Sequence, residues 1–352
     1  MLKTLELANI RSYSNGVFQF SDSVNIVVGP NASGKTNLLE AIYMVATGGA
    51  FKSDDEQMIS RNSDWARIDA TYENQNVSIK IKRTPLSKKF VFDGIDKKNI
   101  SNDKKIPIVL FEPSHMLLLG GEPERRRAYL DGLLSQVDPE FENALKNYKR
   151  ALMQRNKLLK QPNIDVDHLF VWDLRLSELA GKIVENRLKH IEFLNEYISE
   201  DYRSVSGNEE ELNISYESKL LLDQYTSSML KKLKNDFELD RRRGFTGSGP
   251  HRDDIKISID GNDVRQNASR GETRSIVLAL KISELRFVEQ KNVKNQKPLL
   301  LLDDVFSELD GKRRRTLAQT LQKYQTFITT TDADVVIEHF SKSCNIIPTS
   351  SM

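Results

Sequence analysis

The sequence has a single cysteine, Cys344, among its 352 residues. A lone thiol excludes a disulfide framework within the chain and fits a reducing compartment. Long hydrophobic runs are also lacking, since no apolar stretch approaches the ~18–20 residues that a membrane-spanning helix needs. Near the N-terminus, Lys3, Glu6 and Arg11 stand where a signal peptide carries an apolar block. These absences predict a soluble, cytoplasmic protein.

The chain has almost no net charge, because 52 Lys and Arg residues against 50 Asp and Glu residues leave a formal charge of +2. Any attraction to a polyanion therefore has to come from local clusters of one sign. Internal repeats and low-complexity tracts are absent as well. With 38% hydrophobic and 29% charged residues, the composition is ordinary for a soluble globular protein. The length has room for one large or two medium domains.

The most informative stretch is a short apolar strand, Val24–Val28, which is followed by a loop and then by a helical pattern from Lys35 onward. The loop matches G-x-x-x-x-G-K-[ST] without a mismatch, and roughly one chain in a hundred would match by chance as an ordinary glycine turn. In such loops, backbone N–H groups and a helix N-terminus surround a polyphosphate. Lys35 can reach the β- and γ-phosphates, and the Thr36 hydroxyl can bind Mg²⁺. The predicted nucleotide-binding residues are Gly29, Pro30, Asn31, Ala32, Ser33, Gly34, Lys35, Thr36 and Asn37.

Hydrophobic patterns divide the chain into three segments. Residues 1–112 carry the phosphate loop and an antiparallel meander of three strands between residues 66 and 95. Residues 113–245 are mostly helical, and residues 246–352 return to strands and helices that complete the nucleotide-binding layer. The pattern predicts an α/β fold, in which a mostly helical lobe is inserted into the nucleotide-binding lobe.

Two long helices are predicted in the middle segment. Asp138 and Pro139 open the first as N-cap and first helical residue, and the second carries an apolar stripe that ends at Leu194. After a polar linker at residues 204–211, a third helical stretch is predicted at about 217–239. The segment after residue 340 carries no usable pattern.

An apolar strand at residues 299–302 ends in two adjacent acids, Asp303 and Asp304. Open α/β sheets bind their ligands at the carboxyl ends of the strands. Asp303 suits the Mg²⁺ shell beside Thr36, and Asp304 can orient or deprotonate the water that attacks a γ-phosphate. Alone, such a strand is about as often only a capped strand end. Together with a phosphate loop in the same chain, it favours a catalytic role.

The helix start at Ser269-Arg270-Gly271-Glu272 is a second candidate anion site. By itself the pattern also describes a plain N-capped helix. A helix N-terminus attracts anions, however, and one nucleotide does not easily use two such termini from the same chain. Two chains that face each other head-to-tail resolve this difficulty. The Ser269 turn of each chain then contacts the γ-phosphate that the other chain binds.

The order of these motifs, with Ser307-Glu308-Leu309-Asp310 after the acidic strand, is similar to that of the ABC-type ATPase heads of the SMC group. Within that group the chain resembles the RecF family of bacterial recombination mediators along essentially its whole length. Motifs that are not general ATPase signatures make the resemblance specific. They lie at residues 9–13, 120–123, 126–131, 148–150, 154–156 and 249–254.

This resemblance implies a cytoplasmic ATPase that acts in DNA repair, replication and the SOS response. It implies dimerisation around two ATP molecules on duplex DNA near single-strand gaps, where the protein helps to load the recombinase with RecR and RecO. It also implies roles for single residues. Lys35 and Thr36 hold phosphate and Mg²⁺, Asp303 binds the metal, and Asp304 is the catalytic carboxylate. Ser269 and Gly271 of the signature turn, with Glu272, act across the dimer. Asp310 lies beside the facing site, and Arg11 approaches the phosphates.

The chain departs from the family pattern at two positions. Glu272 stands where a glutamine often occurs, and residues 329–331 are threonines where transporter-type relatives carry a switch histidine. These departures favour a slow, nucleotide-gated clamp over a fast motor, and the resemblance implies a weak ATPase that DNA stimulates. A switch scaffold that hardly hydrolyses ATP stays open as an alternative. An SMC-like structural head would need long heptad arms, and a transporter subunit would have Lys35 and Ser269 much closer in sequence.

Six cations and no acid lie between Ala144 and Gln161, at a spacing that puts most of them away from the helix's leucine stripe. A solvated surface is the usual meaning of such a face. Because this face lacks the usual i,i+4 ion pairs, we predict that it contacts DNA. No basic groove with interleaved aromatics appears, which favours contact with a duplex backbone. The predicted DNA-binding residues are Lys146, Lys149, Arg150, Lys157 and Lys160.

Overall fold

A computed structural model of the chain describes residues 1–73, 75–102, 104–291, 296–340 and 344–349. In these ranges the strands are β1 (Leu2–Ile10), β2 (Tyr13–Gln19), β3 (Val24–Val28), β4 (Trp65–Tyr72), β5 (Gln75–Lys82), β6 (Ser87–Phe92), β7 (Ile95–Lys97), β8 (Ile108–Phe111), β9 (Leu212–Glu217), β10 (Asp254–Ile259), β11 (Asn262–Asp263), β12 (Leu299–Asp303), β13 (Thr326–Thr330) and β14 (Cys344–Pro348). The helices are α1 (Lys35–Thr47), α2 (Leu117–Gly120), α3 (Pro123–Val137), α4 (Pro139–Leu159), α5 (Val166–Ser206), α6 (Tyr225–Asn235), α7 (Phe237–Arg243), α8 (Val264–Asn267), α9 (Arg270–Lys291), α10 (Gly311–Leu321) and α11 (Asp334–Ile337). Within the described ranges, no helix combines the length and the hydrophobicity that crossing a bilayer requires.

The chain forms two compact units. The first contains Met1–His115 and Glu284–Met352, and the second contains Met116–Ser283. The boundary predicted at 112/113 lies close to the first change of unit, whereas the one predicted at 245/246 falls inside the second unit. The division into lobes at those two positions therefore stays a prediction.

A five-stranded parallel sheet lies in the first unit, with the strand order β14-β3-β13-β12-β8. Every neighbouring pair in it is parallel, so all five carboxyl ends meet at one edge. All residues of β12 and β13 are buried. This burial explains why the apolar run at residues 299–302 is continuous, since strands covered on both faces have no solvent side.

The second sheet of this unit is antiparallel, with the order β2-β1-β4-β5-β6-β7. Burial alternates along β4, which fits a sheet with one face on the core. The predicted meander is confirmed, because β4 pairs with β5 and β5 with β6, both antiparallel. Helix α1 is buried on several sides, and its core cluster includes residues of both sheets, such as Leu5, Ile79 and Leu301.

The second unit combines helices with a three-stranded antiparallel sheet of order β11-β10-β9. The predicted helix start at Asp138 is confirmed, since its side chain accepts a hydrogen bond of 2.8 Å from the Glu140 N–H. The next helix is longer than predicted, because Ile198, Tyr202 and Val205 continue the buried stripe and α5 ends only before Gly207. The prediction of helix from residue 217 was wrong at its start: β9 ends there, and α6 begins at Tyr225.

A buried polar network joins the helices and the sheet of the second unit. The Asp253 carboxylate accepts hydrogen bonds from the hydroxyls of Tyr216 at 2.9 Å, Tyr225 at 2.5 Å and Ser218 at 2.8 Å. Burial raises the pKa of Asp253. The three donors compensate the carboxylate for the water that it loses in the fold.

His251 extends this network as a neutral imidazole. The Tyr148 hydroxyl lies 2.6 Å from Nδ1, and Nε2 lies 3.1 Å from the Thr246 carbonyl oxygen. Nε2–H therefore donates to the carbonyl, while Nδ1 accepts from the hydroxyl. Burial lowers the pKa of His251 from 6.5 to about 4.

We expect the free energy of unfolding to fall as the pH drops from about 6.5 towards about 4, because only the unfolded His251 takes up a proton in that range. His251→Gln removes this titration, so its unfolding free energy should depend less on pH than that of the parent. Urea unfolding of both proteins at several pH values measures the difference. The exposed His168→Gln serves as control. An equal pH dependence in parent and His251→Gln would contradict the prediction.

Candidate nucleotide site

The site lies at the edge where the five parallel strands end. A cavity of about 540 Å³ opens there, lined by the loop between β3 and α1, the start of α1, and residues at or just after the ends of β8, β12 and β13. Lys35, Thr36, Asp303 and Asp304 all contribute to its wall. Predicted functional residues from two distant parts of the sequence thus meet at one cavity in the first unit.

The phosphate loop is held closed by its own lysine and by a tyrosine. Lys35 Nζ donates to the carbonyl oxygens of Gly29 at 2.8 Å and Pro30 at 2.9 Å. The Tyr13 hydroxyl donates to the Gly34 carbonyl at 3.2 Å. Gly34 has φ 93°, and a Cβ there would lie 2.7 Å from Ser12 Oγ. Glycine at this position follows from both constraints.

Residues 344–349 pack against the phosphate loop and the strand before it. β14 pairs with β3, and the Thr349 N–H continues the ladder by donating to the Val28 carbonyl at 2.7 Å. Thr349 Oγ1 lies 2.7 Å from Ser33 Oγ, and a Cβ on Gly29 would come within 2.3 Å of the same hydroxyl. The sequence provided no pattern for this segment, so its contact with the phosphate loop was not predicted.

Asp303 joins three parts of the site. Its Oδ1 accepts hydrogen bonds from the hydroxyls of Thr36 at 2.8 Å and Thr329 at 3.0 Å, and its Oδ2 lies 2.6 Å from Lys52 Nζ. Hydroxyl and carboxylate oxygens are ligands that Mg²⁺ prefers. Within the described ranges, no group of three or more His, Cys, Asp or Glu side chains could hold a metal. A Mg²⁺ ion at Thr36 and Asp303 would therefore complete its shell with phosphate oxygens and water.

Asp304 has an unusual backbone. Its φ is 54°, a region that non-glycine residues seldom adopt and that is enriched at functional sites. Its N–H donates to Thr329 Oγ1 at 2.8 Å, and its carboxylate accepts from Ser307 Oγ at 3.2 Å. These contacts hold the carboxylate at the cavity wall, beside Asp303. The carboxylate can orient a water molecule from that position.

Lys52 is a site residue that the sequence did not reveal. Helix α1 extends about 20 Å away from the strand ends at 1.5 Å per residue, so a residue after its end is not expected back at the cavity. The chain returns because Glu40, in the middle of α1, accepts a hydrogen bond of 3.2 Å from the Lys52 N–H and one of 3.1 Å from Ser53 Oγ. The lysine side chain then reaches Asp303 and lies 3.9 Å from the Glu112 carboxylate.

Two other predicted residues have local partners. The Arg11 guanidinium donates to Glu40 at 2.7 Å, so Glu40 anchors Arg11 as well as the Lys52 loop. Asp310 is the N-cap of α10 and accepts from the Arg313 N–H at 3.0 Å. That N–H is the main reason why the pKa of Asp310 is lowered. Their roles toward a nucleotide stay predictions.

The Ser269 turn lies in the second unit and forms a capping box. The Ser269 N–H donates to the Glu272 carboxylate at 2.7 Å, and the Glu272 N–H donates to Ser269 Oγ at 3.2 Å. The Ser269 hydrogen bonds lower the pKa of Glu272. Ser269 is exposed, and Gly271 in the same turn is half-buried. The plain N-capped helix is thus present, and the action across a dimer stays a prediction.

The predicted basic face of α4 is exposed at all five predicted residues. The prediction that this face lacks ion pairs is only partly correct, because Lys146 Nζ lies 2.6 Å from the Glu142 carboxylate one turn earlier. Arg155 is not on this face. It is fully buried and pairs with Asp173 at 2.6 Å and Asp240 at 2.8 Å. Lys149, Arg150, Lys157 and Lys160 have no ion pair among the residues that the structure describes.

Comparisons with known proteins agree with this geometry. The family model named RecF/RecN/SMC N terminal domain matches residues 1–351. The DNA replication and repair protein RecF of Lachnoclostridium phytofermentans is 35% identical over 349 residues, which cover 96% of this chain and 95% of that protein.

Solved structures are similar too. The recombination mediator protein RecF-ATP of the RecFOR pathway superposes with a TM-score of 0.84 at 30% identity, covering 94% of this chain and 92% of that one. An Smc head bound to the C-winged helix domain of ScpA has a TM-score of 0.55 at 16% identity, covering 96% and 91%. The second likeness concerns the fold alone. Together they confirm the predicted fold of an ABC-type ATPase head.

Lys52→Met should lower the unfolding temperature in metal-free buffer, because Asp303 is then left buried without its cation, at a cost of about 1 kcal/mol. Mg²⁺ should raise the unfolding temperature of this variant more than that of the parent, since the ammonium no longer competes for Oδ2. Calorimetry with and without Mg²⁺ measures both effects. Lys3→Met, which breaks the exposed pair with Asp22, is the control. Parent-like behaviour of Lys52→Met would show that the contact with Asp303 is energetically neutral.

Proposed function

Because the chain belongs to the RecF family, within the RecF/RecN/SMC group, we propose that it is an ATP-dependent DNA-binding recombination mediator of DNA repair and replication. The observation that carries this proposal is the convergence of Lys35, Thr36, Asp303 and Asp304 on one cavity. Its cellular tasks would be gap repair, recombinase loading and the SOS response, in the cytoplasm, with RecR and RecO as partners.

ATP and Mg²⁺ are the proposed ligands of the cavity. Lys35 would exchange the Gly29 and Pro30 carbonyls for phosphate oxygens, which attract its ammonium more strongly. Thr36 and Asp303 would hold Mg²⁺, which when bound neutralises developing phosphate charge. Lys52 would release Asp303 and stay near the phosphates and Glu112. Asp304 would orient water in line with the γ-phosphate.

A second copy of the chain would complete this site. Ser269 is exposed at the start of a 22-residue helix, where N–H groups and the helix dipole favour an anion. In the isolated chain the Glu272 carboxylate occupies that position. A γ-phosphate held by the partner's phosphate loop would compete with this carboxylate. The exposed helix start supports an ATP-dependent homodimer, and the competition supports slow ATP hydrolysis.

Two alternatives remain for the use of ATP. A switch scaffold would bind ATP, dimerise and hardly hydrolyse it, while a weak DNA-stimulated ATPase would turn it over slowly. The position of Asp304 at the cavity wall favours the ATPase. A structural head of the SMC type would need coiled-coil arms, and the longest described helix, α5, packs within its own unit through residues such as Leu176, Ile183 and Leu194.

The proposed DNA contact uses the exposed cations of α4. Lys149, Arg150, Lys157 and Lys160 fall within an arc of about 100° at 3.6 residues per turn, and Lys146 lies on the same arc. Unpaired cations on one face bind phosphates without sequence preference. Duplex DNA, including duplex next to single-strand gaps, is the proposed partner.

Complementation between two variants tests the composite site. Ser269→Arg and Lys35→Met should each lose about 100-fold or more of the ATPase rate, because each removes stabilisation of phosphate charge. A mixture of the two should recover part of the activity, since one heterodimer site combines an intact phosphate loop with an intact Ser269 turn. ATPase assays of each variant and of the mixture measure this. Full activity of Ser269→Arg as a monomer would refute the arrangement.

Neutralising Lys149, Arg150, Lys157 and Lys160 to glutamine should weaken duplex binding and flatten its salt dependence. The log–log salt slope should fall by about 0.9 for each phosphate that the variant no longer neutralises. Titrations of a fluorescent duplex at several salt concentrations give the slope. Lys189→Gln is the matched control, because Lys189 is exposed on a helix but paired with Glu185. An unchanged slope in the quadruple variant would place the DNA contacts elsewhere.

A further inference from the structure

An exposed aromatic ring lies among exposed cations where α7 ends. We call this the α7 corner, and it consists of Lys160, Arg241, Arg242, Arg243, Phe245 and Arg252. The Arg252 guanidinium lies 5.1 Å from the centroid of the Phe245 ring. Arg241 donates to the Pro162 carbonyl at 3.2 Å, and a Cβ on Gly244 would lie 3.5 Å from the Lys160 side chain. The end of α4 and the end of α7 are therefore adjacent.

The cations of the α7 corner have no carboxylate partner among the residues that the structure describes. Three of them occupy the last turn of α7, where the helix dipole favours positive charge. The dipole of α4 likewise favours Lys160, which caps the end of that helix, but no helix dipole accounts for Arg252, which comes from a loop. Five cations that lack a carboxylate partner within the described ranges thus surround the end of α7, and together they favour a polyanion there.

Phe245 is more exposed than its place in the helix cap requires. The Gly244 N–H donates to the Arg241 carbonyl at 3.2 Å and the Phe245 N–H to the Asp240 carbonyl at 3.3 Å, which is the Schellman pattern. The residue after the glycine in this motif commonly packs back onto the helix. Phe245 nevertheless keeps 40% of its surface exposed. The cap thus fixes the position of the ring without covering it.

The backbone around Phe245 is held rigidly from below. The N–H and hydroxyl of Thr246 each donate to Asn156 Oδ1 at 2.8 Å. The Gly247 N–H donates to Asp240 Oδ1 at 3.0 Å, and the buried Arg155 donates to Asp240 Oδ2 and Thr246 Oγ1 at 2.8 Å each. A ring on such a backbone is preorganised for a flat ligand, because little conformational entropy remains to be lost.

We propose that the α7 corner binds single-stranded DNA, with a base stacked on Phe245 beside Arg252 and phosphates on Lys160 and Arg241–Arg243. Every base has a π-face, so such stacking does not depend on sequence. The proposal rests on the proposed DNA-binding function and adds single-stranded DNA to the duplex as a ligand. Lys149 and Lys160 are about 16 Å apart along the axis of α4, so its basic face ends at this corner. A duplex on α4 would continue as a single strand at Phe245.

Phe245→Leu tests the stacking, since leucine keeps an apolar cap residue and removes the π-face. With ATP present, binding is measured by fluorescence anisotropy on an oligothymidine, a blunt duplex and a duplex with a single-stranded tail. We expect binding of Phe245→Leu to the oligothymidine and the tailed duplex to weaken about tenfold, and binding to the blunt duplex to stay unchanged. Trp65→Leu is the matched control, because Trp65 is an exposed aromatic residue of the first unit at 47% exposure.

A second variant tests the phosphate contacts without touching the ring. Arg242→Gln with Arg243→Gln should lower the salt slope for the oligothymidine by about 0.7 for each phosphate that the variant no longer neutralises. Parent-like binding of Phe245→Leu to the oligothymidine would overturn the inference while duplex binding, and with it the proposed function, stands. Equal weakening on all three DNAs would overturn it too, because the ring would then serve only the fold. A parent that binds no DNA at all would refute both proposals.

Discussion

The candidate nucleotide site depends on one nearly buried carboxylate, that of Asp303. Its two oxygens hold a hydroxyl from α1, a hydroxyl from β13 and an ammonium from the loop after α1. An unpaired carboxylate at this depth would be costly, so the three donors have to be supplied together. The cost of burying one charge thus fixes the relative positions of segments that are more than 250 residues apart in sequence.

The same charge links the cavity to its proposed ligands. The ammonium of Lys52 lies where a cation would approach Oδ2, and a second acid, Glu112, is 3.9 Å away to receive it. Glu40 keeps the Lys52 ammonium near both acids, because it anchors the Lys52 loop, and it also binds Arg11. A buried residue of the phosphate helix therefore organises cations that a motif search would treat as unrelated.

How much of the candidate site could be predicted from the sequence depends on how far apart in sequence the interacting residues are. The phosphate loop, the acidic strand and the Ser269 cap are set by neighbours a few residues away, so their spacing carries the information. The positions of Lys52 and Thr349 are not set by near neighbours in sequence, since each residue reaches the site only after the chain has folded back. Arg155 shows a related limit: helical spacing assigns a residue to a face, but it does not tell that Asp173 and Asp240 cover that residue.

The pairing of β14 with β3 has a consequence for synthesis. Ser33 and Thr349 are 316 residues apart, and the wall behind the phosphate loop is formed only when the later residue has been made. At about 5–20 residues per second, the loop waits roughly 15–60 s for that wall. During this interval the nascent chain has the loop with its Lys35 and Tyr13 contacts, but not the contact between Ser33 and Thr349. The wall that Thr349 adds to the loop therefore forms late in synthesis, after most of both units has been made.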